Sequence, residues 1–248
     1  TLENTSRFAK GKTTGPISVL HIFNQPLHIM RPYEGYVGNL FLPKHIVEKA
    51  ADHSILINFR TPRSMVLKAI ELTYPDIKRE NIHVWTLRGK SRVHRIGKLW
   101  EEWKNLGVHL VEDGWKLPSG MEAFTESGTY APTYSIGAWK DDQGQTHLFI
   151  CDGYAASAEA LQAASLAPML GLEAFLAIFT SKFALAYDQE QHIMELDPYA
   201  TDFPSQLQNL VGRPMEEEEI NKYREMIQGG IEAGIPMDKP SLQADHFF

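Results

Sequence analysis

The chain has 248 residues, 43% hydrophobic and 22% charged, with 24 basic and 31 acidic side chains and a net charge of −7. That composition supplies a full buried core and excludes a disordered polyelectrolyte. The acidic balance speaks against nucleic acid and anionic membrane as partners, since both require a basic field. Cys151 is the only cysteine. It excludes an internal disulfide and a cysteine-rich metal site, reads as a small buried hydrophobe, and fits a reducing, cytoplasmic setting.

Residues 1–15 read as a polar arm. Within it Gly11-Lys12-Thr13-Thr14 imitates the end of a phosphate loop, but Ser6 stands where the first glycine is needed and no strand precedes it. Pro16 to Phe23 predicts a first strand, and 24–40, with Pro26, Pro32, Gly35 and Gly38, an irregular connection. A helix is expected from Pro43 to about Ala51. Residues 54–60 predict a second strand, followed by a helix with Thr61 as N-cap and Pro62 in its first position, ended by Pro75. Residues 82–87 predict a third strand. An amphipathic helix follows over 91–106, with Val93, Ile96, Leu99, Trp100, Trp103 and Leu106 as its apolar stripe. Val108 to Val111 predict a fourth strand, ending at Glu112-Asp113-Gly114.

The second half changes character. Residues 117–129 form a loop rich in Ser, Thr and Gly. Residues 133–139 and 146–151 predict an antiparallel hairpin, 154–170 an Ala-rich helix, Glu173 to Thr180 a last strand, and 188–248 mostly helix. The expected fold is α/β: a three-layer sandwich with a mostly parallel sheet, an antiparallel hairpin in the second half and a helical C-terminal segment. The expected organisation is an α/β core over 1–187 and a helical extension over 188–248 packed on it.

Two basic turns carry the functional expectation. Arg60, Thr61, Arg63 and Ser64 follow one predicted strand, and Arg88, Lys90 and Ser91 follow the next. Free N–H groups and positive charge at a helix start suit a phosphate or carboxylate. If the early strands are parallel, these turns share an edge with Glu112, Asp113 and Asp152, which would bind Mg²⁺ (Asp113 and Asp152) or move protons. His28, after the first strand, is a candidate general acid or base. Ser127, Thr129 and Tyr130 offer a phosphate-gripping lid, and Arg31, Tyr33 and Tyr36 a stacking wall. The ten histidines are scattered, with no i, i+4 pair of the zinc-protease kind. No G-x-G-x-x-G follows the first strand, and there is no G-x-S-x-G elbow and no kinase signature.

The sequence therefore predicts an enzyme (hydrolase, transferase or isomerase) acting on a small phosphorylated metabolite, a nucleotide or sugar phosphate, or on a polycarboxylate. A homo-oligomer is expected. The alternatives are a non-catalytic module that binds the same anion, and an assembly protein whose apolar segment Leu172 to Phe183 makes an oligomer contact.

Overall fold

A computed structural model describes residues 36–59, 61–125, 132–156, 164–178 and 196–232, with short pieces at 2–3, 8–11, 17–18, 22, 193 and 242–243. Strands β1 (Leu2–Glu3) and β2 (Ile17–Ser18) pair as a separate antiparallel ribbon. Among the described residues the main sheet has seven strands: β3 (Tyr36–Pro43), β4 (Ile82–Trp85), β5 (His109–Leu110), β6 (Gly137–Lys140), β7 (Thr146–Ala156), β8 (Leu172–Ile178) and β9 (Leu242–Gln243). Their order is β5-β4-β7-β3-β8-β9, with β6 also on β7. The helices are α1 (Lys44–Asp52), α2 (Arg63–Thr73), α3 (Val93–Asn105), α4 (Phe203–Val211) and α5 (Glu217–Glu232).

The long strand β7 organises the sheet. One edge pairs with β4, Ile82 opposite Leu148 and Trp85 opposite Cys151. The other takes β6 along its first half and β3 along its second, Phe41 opposite Cys151 and Asn39 opposite Gly153. Only β4–β5 and β4–β7 are parallel; the pairings of β3, β6, β8 and β9 are antiparallel. The expected mostly parallel sheet is thus corrected to a mixed one. The short 141–145 turn forces β6 and β7 into a hairpin, and β3 runs against both of its neighbours.

β3 lies inside the stretch expected to be irregular. Leu40, Phe41 and Leu42 are all 0% exposed. A strand covered on both faces reads as an apolar run without alternation, and the glycine and proline signals around it masked it. The expected strand over 54–60 is corrected the other way. Its alternation is real: Ile55, Ile57 and Phe59 are buried while Leu56 is 81% exposed. Yet among the described residues the segment joins no sheet. Thr61 Oγ1 accepts the Asn58 N–H at 2.8 Å and donates to the Leu56 carbonyl at 3.0 Å, locking a turn. The helix then starts at Arg63, with Pro62 rather than Thr61 at the capping position. The helix expected over 154–170 is corrected in part: β7 continues through Ala156, 157–163 lie outside the described residues, 164–166 are helical, and Pro168–Leu170 is a short 3-10 turn. β8 is the expected strand. Phe203, Leu207, Tyr223 and Ile227 of α4 and α5 join one hydrophobic cluster with the sheet. Among the described residues no helix is long and apolar enough to cross a membrane.

Alternation along β7 sorts the chemistry onto two faces. Asp152 meets Arg63 of α2 and Trp103 of α3 on one face. His147 meets His83 and Trp139 on the other.

Candidate functional site

The first basic turn is occupied by the protein itself. Arg63 and Asp152 are both 0% exposed. Arg63 Nε and Nη2 donate to the two oxygens of Asp152 at 2.6 and 2.8 Å, and Trp103 Nε1 adds a third bond at 2.7 Å. Arg63 Nη1 donates to the carbonyls of Phe59 and Thr61 at 2.7 and 2.8 Å. The first N–H of α2, that of Arg63, meets Glu102 Oε1 at 2.7 Å. The positive end of this helix and its guanidinium therefore already hold two carboxylates, those of Glu102 and Asp152. Arg63 and Asp152 form a buried brace between α2, α3 and β7, and both oxygens of Asp152 are taken. Next to it, burial and then the Asp152 charge push the Cys151 thiol well up, which keeps it protonated and unreactive.

The second basic turn stands where β4 and β5 end. The Arg88 N–H donates to the Thr125 carbonyl at 2.5 Å, and Arg88 Nη1 to the Val111 carbonyl at 3.3 Å. Asp113 Oδ1 accepts the Thr125 N–H at 3.0 Å, and Trp85 Nε1 reaches the Phe124 carbonyl at 3.0 Å. The 113–125 lobe is thereby closed against both strand ends. Lys90 and Ser91 belong to the 3-10 turn Lys90–Arg92 that leads into α3, and Lys90 is exposed. The Glu112 side chain is 62% exposed. Its partial burial raises its affinity for a proton, but the bond from His109, its own backbone N–H and the charges of His109 and Arg88 outweigh this and hold it below its ordinary range. Ser64 lies apart from this rim, exposed in the first turn of α2. His28, Arg60, Ser127, Thr129 and Tyr130 lie outside the described residues.

Around the end of β4, four buried polar atoms have no hydrogen-bond partner among the described residues: both amide atoms of Asn39 and the hydroxyls of Thr86 and Thr125. All three residues are 0% exposed. Asn39 is the ladder partner of Gly153, and Thr86 Oγ1 lies 2.6 Å from where a Cβ on Gly153 would stand. Thr125 is tied to Arg88 through its carbonyl. A buried hydroxyl or amide left unpaired costs about 1–3 kcal/mol, so keeping these groups polar costs the fold stability.

The opposite face carries a feature the sequence reading missed. Glu112, His109, His83, His147 and Asp141 form one unbranched hydrogen-bonded chain. Its links are Glu112 Oε2–His109 Nε2 at 2.9 Å, His109 Nδ1–His83 Nδ1 at 2.7 Å, His83 Nε2–His147 Nδ1 at 2.9 Å and His147 Nε2–Asp141 Oδ2 at 3.3 Å. His83 is 7% exposed, under Trp115 and stacked on Trp139 and His147. A signal was present. Each of these histidines falls in the first two residues of a strand; parallel pairing sets His83 opposite His109 and, on β7, opposite Phe149, two residues along the same face from His147, so the three side chains make a diagonal row. The ring nitrogens point along that row, not at a common centre. Among the described residues no group of three or more His, Cys, Asp or Glu side chains is arranged to hold a metal.

Burial, then the charges of His109 and His147, drive His83 from 6.5 down to about 3, against a smaller opposing pull from Glu112. The unfolded chain therefore takes up a proton that folded His83 refuses. His83's contribution to stability is complete above about pH 6.5 and is lost as pH falls toward 3, by up to ~1.4 kcal/mol per pH unit. Glu112 and Asp141, the latter held low chiefly by the Gln145 N–H, push in the same direction at lower pH. Urea midpoints measured between pH 7 and 4 are expected to fall with pH in the native protein and to fall less steeply in His83→Phe. No family model matches the chain, and no match is found among curated proteins.

Proposed function

We propose that the rim where β4 and β5 end binds a small anionic metabolite, phosphorylated or polycarboxylate, and that the protein is an enzyme moving a proton on it through Glu112. Arg88, Lys90 and Ser91 hold the anion at the start of α3, where the helix dipole favours negative charge. Asn39, Thr86 and Thr125 receive the polar remainder of the ligand. Arg63, Asp152 and Thr61, spent on the fold, are left out of the binding set. Mg²⁺ enters this reading with the ligand's own phosphates, while Asp113, whose Oδ1 accepts the Thr125 N–H, closes the 113–125 lobe. What supports the reading is the set of unpartnered buried atoms of Asn39, Thr86 and Thr125 beside Arg88.

A thermal-shift screen against nucleotides, sugar phosphates and di- and tricarboxylates tests it, because a ligand that binds only the folded state raises the melting temperature. Arg88→Ala is expected to weaken the hit by about 1.5–3 kcal/mol, the worth of a charge-assisted hydrogen bond. Thr86→Val separates binding from folding. It removes an unpaired buried hydroxyl, so it is expected to raise stability by about 1 kcal/mol while lowering affinity. A screen without hits, or a hit that Arg88→Ala and Thr86→Val leave unchanged, overturns the rim as the site. A hit that is bound but never converted leaves a binding module.

A further inference from the structure

The five-residue row on the far face admits a simple count of hydrogens. Its four links run between two carboxylates, which only accept when ionised, through three imidazoles. Each link needs one hydrogen. The end links require N–H on Nε2 of both His109 and His147, and the two inner links need one hydrogen each. That makes four hydrogens on three rings, and three neutral imidazoles carry only three. With both carboxylates ionised, making all four links at once takes one hydrogen more than three neutral rings carry, an imidazolium balanced by Glu112 and Asp141.

Two arrangements satisfy every link with His83 neutral. With the charge on His147, His83 carries its hydrogen on Nδ1 and gives it to His109. With the charge on His109, His83 carries it on Nε2 and gives it to His147. One concerted shift of two hydrogens interconverts them: His147 Nδ1–H passes to His83 Nε2 while His83 Nδ1–H passes to His109 Nδ1. Both inner links, at 2.7 and 2.9 Å, are short enough for this.

We infer that Glu112, His109, His83, His147 and Asp141 form a proton shuttle that lends one proton to the rim beside Arg88 and takes it back. The N–H of cationic His109 hands its proton to Glu112. The remaining N–H groups then all point toward Asp141, and return of the proton from Glu112 restores the starting state. The far end, Asp141, lies in the β6–β7 turn, held by the N–H groups of Gln143 and Gln145. Burial of His83 beneath Trp115 and Trp139 keeps the charge at the two ends, where the carboxylates are. Among the described residues, the charged groups that act on His83, Glu112 and Asp141 are the row's own members and Arg88, which acts on Glu112. The destination of the proton rests on the rim being the ligand site; the shuttle itself does not. A reaction that donates a proton and recovers it, such as an isomerisation, suits a store of this kind.

The test is ¹⁵N NMR of the histidine side chains in the ligand-free full chain, near neutral pH. In the native protein both His83 nitrogens are expected at averaged positions, between the protonated and unprotonated types. Asp141→Asn is expected to move the charge to His109 and shift His83 to the Nε2–H form. Glu112→Gln is expected to move it to His147 and shift His83 to the Nδ1–H form. A merely structural histidine keeps one tautomer in all three proteins, and that result overturns the shuttle. Failure of the metabolite screen with these opposite shifts present would sink the rim and leave the shuttle standing.

Discussion

Replacing Arg63 by methionine is expected to lower the unfolding free energy by about 3–5 kcal/mol, the cost of leaving one partner of a buried ion pair uncompensated. Arg63 is 0% exposed and donates to both oxygens of Asp152 and to the carbonyls of Phe59 and Thr61. Methionine replaces the stem but none of these donors, so a carboxylate and two carbonyls lose their partners. Lysine should do little better, because a single ammonium cannot span the same fork. Arg63→Met paired with Asp152→Leu is the informative companion. It removes the stranded charge, and swapping a buried pair for apolar side chains of similar volume is often neutral or stabilising. The double variant should therefore recover most of the loss in urea denaturation. A single variant that stays within about 1 kcal/mol of the native protein would contradict the brace. Ligand affinity is not expected to respond to Arg63 except through folding, whereas Arg88→Ala should act on affinity and little on stability.

This division between Arg63 and Arg88 shows where the sequence runs out. Both arginines follow short β-branched runs and precede helices, and locally they look alike. Their fates are decided by partners far along the chain: Asp152 is 89 residues from Arg63. No local pattern announces that meeting. Signals that act within a few residues were legible: the stripe of Ile96, Leu99 and Trp103 in α3, the β6–β7 hairpin, and the apolar run of β8. What depended on ladder partners was not. Ile55, Ile57 and Phe59 alternate as a strand does yet join no sheet among the described residues, while β3 hides its strand character in a run buried on both faces. The histidine row fell between the two cases. The position of each histidine near a strand start could be read; the order β5-β4-β7 that aligns them could not. Of the expected site, Arg88, Glu112 and Asp113 do gather at neighbouring strand ends. Asn39, Thr86 and Thr125 were invisible because an unpaired side chain is a property of the packed state alone.

Gly153→Ala is expected to cost about 2–6 kcal/mol, from two sources that can be measured apart. Gly153 has φ +145, which side chains of L-residues rarely adopt, and strain of this kind is worth about 1–3 kcal/mol. The added Cβ would lie 2.6 Å from Thr86 Oγ1 and 3.4 Å from Thr86 Cβ and Ile96 Cδ1. Thr86 cannot swing clear, since it is β-branched and 0% exposed, so overpacking adds about 1–3 kcal/mol. Thr86→Ala removes the closest atom but not the backbone strain. The Gly153→Ala, Thr86→Ala double variant should regain the overpacking part and keep the rest, giving a coupling of about 1–3 kcal/mol in a double-mutant cycle. Additive effects would mean that the two residues do not press on each other. The same cycle bears on the proposed rim, because Gly153 pairs with Asn39 and packs against Thr86, whose unpaired atoms support that proposal. Only a residue without a side chain lets β7 pass that close to the Thr86 hydroxyl. Gly153→Ala should thus lower affinity for the metabolite as well as stability, whereas Thr86→Val lowers affinity while stability rises. Opposite signs on stability with the same sign on binding are expected of a pocket whose polar lining is kept at the expense of the fold.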